Sequence, residues 1–182
     1  SHIEETAQRL GYYFDDRSRD EVVTDLRKKN IDAYPFFLVR HDPNIFPLSN
    51  VPRKTIVLCN ELGSYVVYES DRYGFNNPDT IWGQENIHSV FVGDSFTQGS
   101  CMVDNRGFVN QLRKEIPAII NLGMGSNNPL QNYATMVEYL GNKFPKHVVW
   151  MHCAANDISG LSGMTSMVSQ SSKSLMRYIN EE

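Results

Sequence analysis

Several features that would decide between classes of protein are scarce or missing in this chain. It has no run of about 18 apolar residues, so we expect no transmembrane helix. Nothing at its start resembles a signal peptide, and the first residue is Ser1 rather than Met, which predicts an excised or processed piece of a longer precursor. The longest basic run is Arg27–Lys29, and the net charge is −4 with a pI near 5.7. This charge balance argues against a nucleic-acid-binding surface.

Cysteine is also scarce. Cys59, Cys101 and Cys153 lie far apart and show no paired spacing. The sequence therefore predicts neither a zinc site nor a disulfide framework. Cys153 lies in an apolar run and is expected in the core.

What the chain does have is a globular composition, with 41% apolar and 21% charged residues among 182. Its length fits one domain with a substantial extension. Residues 1–85 are predicted to form an N-terminal extension of helices, proline-rich loops and a possible hairpin. Residues 86–182 are predicted to form an α/β domain.

The extension carries local signals for its elements. Ile3–Leu10 predicts a helix that ends at Gly11. Ser18 and Glu21 have capping-box spacing at the start of a second helix. Thr55–Cys59 and Tyr65–Tyr68 predict the two strands of a hairpin.

The segment from Tyr68 to Pro78 is polar, aromatic and rich in turn-forming residues. This composition favours a surface loop that leads into the central sheet. The alternative interpretation is that the segment forms one wall of a substrate cleft.

The stretch Ile87–Gly99 organises the second part of the chain. Val90–Val92 predicts a buried strand that stops at Gly93, which places Ser95 at the carboxyl end of the strand. Ligands bind at the carboxyl ends of strands in open parallel sheets, so Ser95 is a candidate nucleophile. The alternative is that this Asp-Ser pair only caps the next helix.

Strands and helices then alternate. A helix is predicted from Phe108 to Ile116, a strand at residues 118–120, a helix opening at Asn128-Pro129 and a strand from Val148 to Cys153. This alternation indicates a parallel sheet with helices on both faces. Polar, small-residue loops follow all three strands and are expected to meet at one edge.

These loops carry three motifs in order. Gly93-Asp94-Ser95 follows the first strand, Asn121-x-Gly123 the second and Asn156-Asp157 the third. Residues 87–161 thereby resemble the SGNH (GDSL-type) hydrolases. The resemblance implies a flavodoxin-like, three-layer α/β/α fold, here without its C-terminal part because only three of the usual five strands can be placed. Residues 68–77 also resemble members of this superfamily in the bacterial envelope.

The resemblance implies hydrolysis or transfer of acyl groups on oxygen esters, with no metal or cofactor. Ser95 would be the nucleophile, and its N–H would help to bind the oxyanion together with the Asn156 side chain. The second motif would add the N–H of Ser126, which stands where the family has glycine, or that of Gly125. A carbohydrate O-acetyl ester is the preferred substrate, and the bacterial periplasm or cell envelope is the compartment that the resemblance favours.

The family's general base is missing from the pattern. The family has Asp-x-x-His near the C-terminus, whereas all five histidines here precede Asn156: His2, His41, His88, His147 and His152. His152 lies within an apolar strand and is expected to be a core or wall residue. Either the chain is truncated before its base, or it is a catalytically silent module that binds acylated glycan or an assembly partner. A third alternative, phosphate binding at the Gly93–Gly99 turn, is weakened by the absence of a P-loop lysine.

Overall fold

The computed structural model describes residues 2–36, 47–102, 106–141 and 143–153. These residues form a mixed α/β structure with two three-stranded sheets, which confirms the α/β class. The flavodoxin-like arrangement and the boundary at residue 86 stay predictions.

The helices are α1 (His2–Leu10), α2 (Arg19–Lys28), α3 (Ser95–Gln98), α4 (Phe108–Glu115) and α5 (Pro129–Leu140), with a 3₁₀ helix at Asp79–Gly83. The strands are β1 (Ala33–Pro35), β2 (Thr55–Val57), β3 (Val67–Glu69), β4 (Ser89–Val92), β5 (Ile119–Asn121) and β6 (His147–Trp150).

Both N-terminal helices have the ends that the sequence predicts. α1 stops before Gly11, which has a φ of 72°. Glycine adopts this left-handed backbone conformation with little strain. At the start of α2, the Ser18 hydroxyl accepts the Glu21 N–H at 3.3 Å and the Glu21 carboxylate accepts the Ser18 N–H at 2.7 Å. The predicted capping box is therefore confirmed. The buried side chains of Val22 and Val23 pack α2 against the first sheet.

The first sheet has the order β1-β2-β3. β1 pairs with β2 in parallel, and β2 pairs with β3 in antiparallel register with Ile56 opposite Tyr68, which confirms the predicted hairpin. Ile56, Leu58 and Tyr68 form a buried cluster with Phe36 and with Met124, which follows β5. The core of the first sheet therefore reaches the second half of the chain.

The second sheet has the order β5-β4-β6, and all pairs are parallel. All four residues of β4 are buried, as expected for a strand covered on both faces. Val90 and Val92 belong to a cluster with Trp82, against which α5 packs, whereas Phe91 packs on Val109 of α4. The central strand is thereby fixed between two apolar clusters.

A disulfide joins Cys59, which follows β2, to Cys101, which follows α3. Their Cα atoms are 5.4 Å apart although the residues are 42 positions apart in sequence. The prediction of no disulfide is therefore wrong, because the tertiary fold brings together two cysteines whose spacing gives no signal. Cys153 takes no part in a disulfide and is half-buried.

Replacing Cys59 and Cys101 together with serine should lower the free energy of unfolding by about 4 kcal/mol, because the bridge closes a long loop in the unfolded chain. Guanidinium unfolding followed by tryptophan fluorescence measures this loss. Cys153→Ser is the control and should leave the bridge intact. An unchanged unfolding midpoint in the double variant, or more than one reactive thiol in the denatured but unreduced protein, would contradict the bridge.

Candidate active site

The parallel strands of the second sheet end at one edge, where backbone hydrogen bonds continue beyond them. The Leu122 N–H donates to the Phe91 carbonyl at 2.8 Å, and the Met124 N–H donates to the Gly93 carbonyl at 3.1 Å. On the other side, the Met151 N–H donates to the Val92 carbonyl at 2.8 Å. The turn after β4 therefore lies between the loop after β5 and the residues after β6. The first two motifs lie together, whereas Asn156 and the rest of the third motif lie outside the described residues.

Ser95 is the first residue of α3 and is half-buried. The helix is capped by the residue before it, since the Asp94 carboxylate accepts the Phe96 N–H at 3.0 Å. The hydroxyl of Ser95 has no hydrogen-bond partner among the described residues. Capping at this turn is thus carried out by Asp94 and does not occupy Ser95.

Two glycines allow the close packing around this turn. A Cβ atom on Gly93 would collide with the Thr97 hydroxyl and would lie 3.1 Å from Met151 Cβ. A Cβ atom on Gly123 would collide with the backbone of Thr97 and Gln98. The glycines of the first two motifs are therefore required by close approach of the backbone.

Asn121 ties the two loops together. Its Nδ2 donates to the Thr97 carbonyl at 2.7 Å, and its Oδ1 accepts the Gly123 N–H at 2.8 Å. The side chain is 2% exposed, so both bonds are shielded from water. The asparagine of the second motif thus fixes the position of α3.

The two candidate donors of the second motif differ in geometry. The Gly125 N–H donates to Gln98 Oε1 at 3.1 Å and is already engaged. Ser126 is exposed and has a φ of 65°, the left-handed conformation that a glycine adopts more easily. Its N–H has no partner within the described part of the chain.

The histidines lie at both edges of the sheet. His88 and His147 are at the amino ends of β4 and β6, with ring centroids 5.2 Å apart, and therefore lie far from Ser95. His152 follows β6 at the carboxyl edge and stacks on Trp150, with ring centroids 5.2 Å apart. It is exposed, so a place in the core is wrong, whereas a place in the wall of the cleft stays a prediction. His41 lies outside the described residues.

Asp71 is the residue that sequence reasoning missed. It is 0% exposed, and its carboxylate accepts four hydrogen bonds of 2.7 to 2.9 Å. The donors are the N–H groups of Tyr73 and Phe75, the Asn77 amide and the Trp82 indole. The expectation of a surface loop at residues 68–78 is wrong for much of this segment, because it wraps a buried carboxylate. An aspartate followed by turn-forming residues was the available signal.

Asn77 extends this network to the second sheet. Its Nδ2 also donates to the Asn121 carbonyl at 2.9 Å, and its Oδ1 accepts the Asn121 N–H at 2.8 Å. Asp71 and the candidate site are therefore linked through Asn77 to Asn121, the residue that positions α3.

No protein-family model, curated protein or solved structure matches this chain. Within the described ranges, no helix has the length and apolar character needed to cross a bilayer. In that same part of the chain, no three His, Cys, Asp or Glu side chains converge as a metal site would require.

Replacing Asp71 with alanine should lower the free energy of unfolding by about 3 kcal/mol or more, because it leaves several buried donors without an acceptor. Urea unfolding measures the loss. Asp79→Ala is the matched control, since that carboxylate directly follows the segment but is 43% exposed and paired with Arg72. Equal, small losses in the two variants would show that Asp71 does not organise the segment.

Proposed function

We propose that this chain is an SGNH-type serine ester hydrolase or acyltransferase that acts on an O-acyl substrate, with a carbohydrate O-acetyl ester as the preferred class. The proposal includes a flavodoxin-like α/β/α domain at residues 86–182 preceded by the extension at 1–85. The observation that carries it is the position of Ser95: a half-buried serine, uncommitted to capping, at the carboxyl end of the central strand.

The backbone around Ser95 suits an oxyanion site. The N–H groups of Ser95 and Ser126 donate to no acceptor among the described residues, whereas that of Gly125 donates to the Gln98 side chain. This difference favours Ser126 over Gly125 as the donor of the second motif. The resemblance adds the Asn156 amide, which donates without carrying charge and so costs less to desolvate than a cation. Each such donor typically contributes about 10²–10³ in rate.

In the proposed reaction, Ser95 Oγ attacks the ester carbonyl carbon and gives its proton to a general base. The carbonyl oxygen becomes an oxyanion held by the N–H groups of Ser95 and Ser126. Collapse of the intermediate expels the alcohol, which takes the proton from the base, and leaves an acyl-serine. Water or an acceptor hydroxyl then attacks the acyl carbon and gives its proton to the base; the bond from the acyl carbon to Ser95 Oγ breaks, and the base returns that proton to Oγ.

His152 is the candidate for the general base. Of the histidines whose side chains are described, His152 alone follows a strand at the carboxyl edge.

The alternative function is a catalytically silent SGNH-like module that binds acylated glycan or an assembly partner. The observation that favours it is the lack, among the described residues, of a base bonded to the Ser95 hydroxyl.

The Cys59–Cys101 disulfide supports an oxidising compartment, since such bridges persist outside the reducing cytosol. A periplasmic or cell-envelope location agrees with this chemistry and is part of the proposal.

A serine-directed fluorophosphonate tests the proposal by intact-mass analysis. We expect a single adduct on the protein and none on Ser95→Ala, because only an activated hydroxyl attacks the phosphorus. Ser100→Ala is the matched control: Ser100 is also half-buried and lies five residues away on the same turn, and its loss should leave the adduct unchanged.

His152→Asn tests whether that histidine supplies the base. Loss of labelling in this variant, with labelling kept in His147→Asn at the opposite edge, would assign the role. The absence of any adduct on the unmodified protein would show that this chain is not by itself a working serine esterase. Truncation before the base and the silent binding module would then be separated by repeating the labelling on a C-terminally extended chain.

A further inference from the structure

Two histidines lie side by side at the amino edge of the second sheet. His88 comes directly before β4, and His147 is the first residue of β6. The two strands are parallel neighbours, and the His147 N–H donates to the His88 carbonyl at 3.1 Å. The ring centroids are 5.2 Å apart, and the rings are tilted by 50° rather than stacked face to face. Ser95 follows the carboxyl end of β4, so the histidine pair is separate from the candidate active site.

The spacing of the two rings matches two imidazoles on one tetrahedral metal ion. A zinc–nitrogen bond of about 2.0–2.1 Å places each ring centroid about 3.2 Å from the ion. Two such rings at the tetrahedral angle are about 5.2 Å apart, whereas the right angle of a square-planar copper site brings them to about 4.5 Å. The observed separation therefore favours zinc.

His88 also makes the second contact that is usual for a metal-binding histidine. Its Nδ1 lies 2.7 Å from the hydroxyl oxygen of Ser89, which is 6% exposed. Ligating histidines commonly donate their other ring N–H to an oxygen, which fixes the tautomer and leaves a lone pair for the metal. In His88 that lone pair would be on Nε2. The ring of His147 is exposed, and its nitrogens have no hydrogen-bond partner in the described part of the chain.

One copy of the chain supplies only part of a zinc site. No third His, Cys, Asp or Glu of the described residues joins the pair, whereas zinc sites in proteins have three or four protein ligands. A second copy related by a two-fold axis would supply the same two histidines and complete a set of four nitrogens. The neighbouring surface is open to such a copy, since Phe144, three residues before His147, is 88% exposed.

We propose that two copies of this chain bind one Zn²⁺ between them at the amino edge of the second sheet, each through His88 and His147. Phe144 of each copy then becomes buried beside the ion and adds the apolar contact that a small interface needs. The site makes no use of Ser95 and is independent of the proposed esterase function.

Size-exclusion chromatography with light scattering tests the site on the whole chain, first treated with a chelator and then supplied with zinc chloride. We expect zinc to double the molar mass and the chelator to return it to that of one chain. Calorimetric titration should give one zinc per two chains. Cobalt(II) in place of zinc should give the intense visible absorption of a tetrahedral site, because coordination geometry decides the spectrum.

His147→Asn should weaken zinc binding about tenfold or more and prevent the doubling of mass, because the shared site loses two of its four ligands. The side chain is exposed, so this variant should fold as the unmodified chain does. His152→Asn is the matched control: it removes an exposed histidine at the opposite edge of the sheet and should leave zinc-dependent dimerisation unchanged.

Four results would each overturn the proposal: no zinc binding at micromolar concentration, one zinc per chain without dimerisation, a dimer that persists in chelator, or full zinc-dependent dimerisation of His147→Asn. Labelling of Ser95 does not enter this test, so failure of either proposal leaves the other unaffected.

Discussion

The buried carboxylate of Asp71 is the interaction on which the arrangement of the two halves depends. A charged oxygen pair can stay out of water only if donors surround it, and here two backbone N–H groups and two side chains do so. One of those side chains, Asn77, also pairs with the backbone of Asn121. The turn before the second sheet is thereby bonded to the sheet itself. The disulfide and the shared cluster around Met124 connect the same two parts of the chain.

This connection explains how the candidate nucleophile is positioned. α3 has only four residues and could not hold a fixed orientation on its own. Its carbonyl at Thr97 accepts the Asn121 amide, and the side chain of Gln98 holds the loop after β5 through Gly125. Cys101, just beyond the helix, is bound to Cys59. Ser95 therefore lies on a turn fixed by hydrogen bonds, close glycine packing and a covalent bridge, which is the pre-organisation that acyl transfer requires.

Much of the local structure was predictable because it depends on neighbours in sequence. The capping box at Ser18 and the cap at Asn128 satisfy free N–H groups within a single turn, so they can be read without the fold. The apolar run Val90–Val92 predicts a buried strand, and β4 confirms it, because all four of its residues are buried within a parallel sheet. The segment around Asp71 was misjudged because polar composition usually indicates exposure, whereas here the polar groups satisfy one another.

The sequence by itself determined the α/β class, the helix ends, the hairpin and the grouping of the first two motifs at one sheet edge, because each follows from short-range patterns or from strand direction. Only the tertiary structure decided that Cys59 bonds to Cys101, that Asp71 is buried and that Gln98 engages Gly125. These are contacts between residues distant in sequence. They depend on how elements pack, and no local pattern in the chain encodes them.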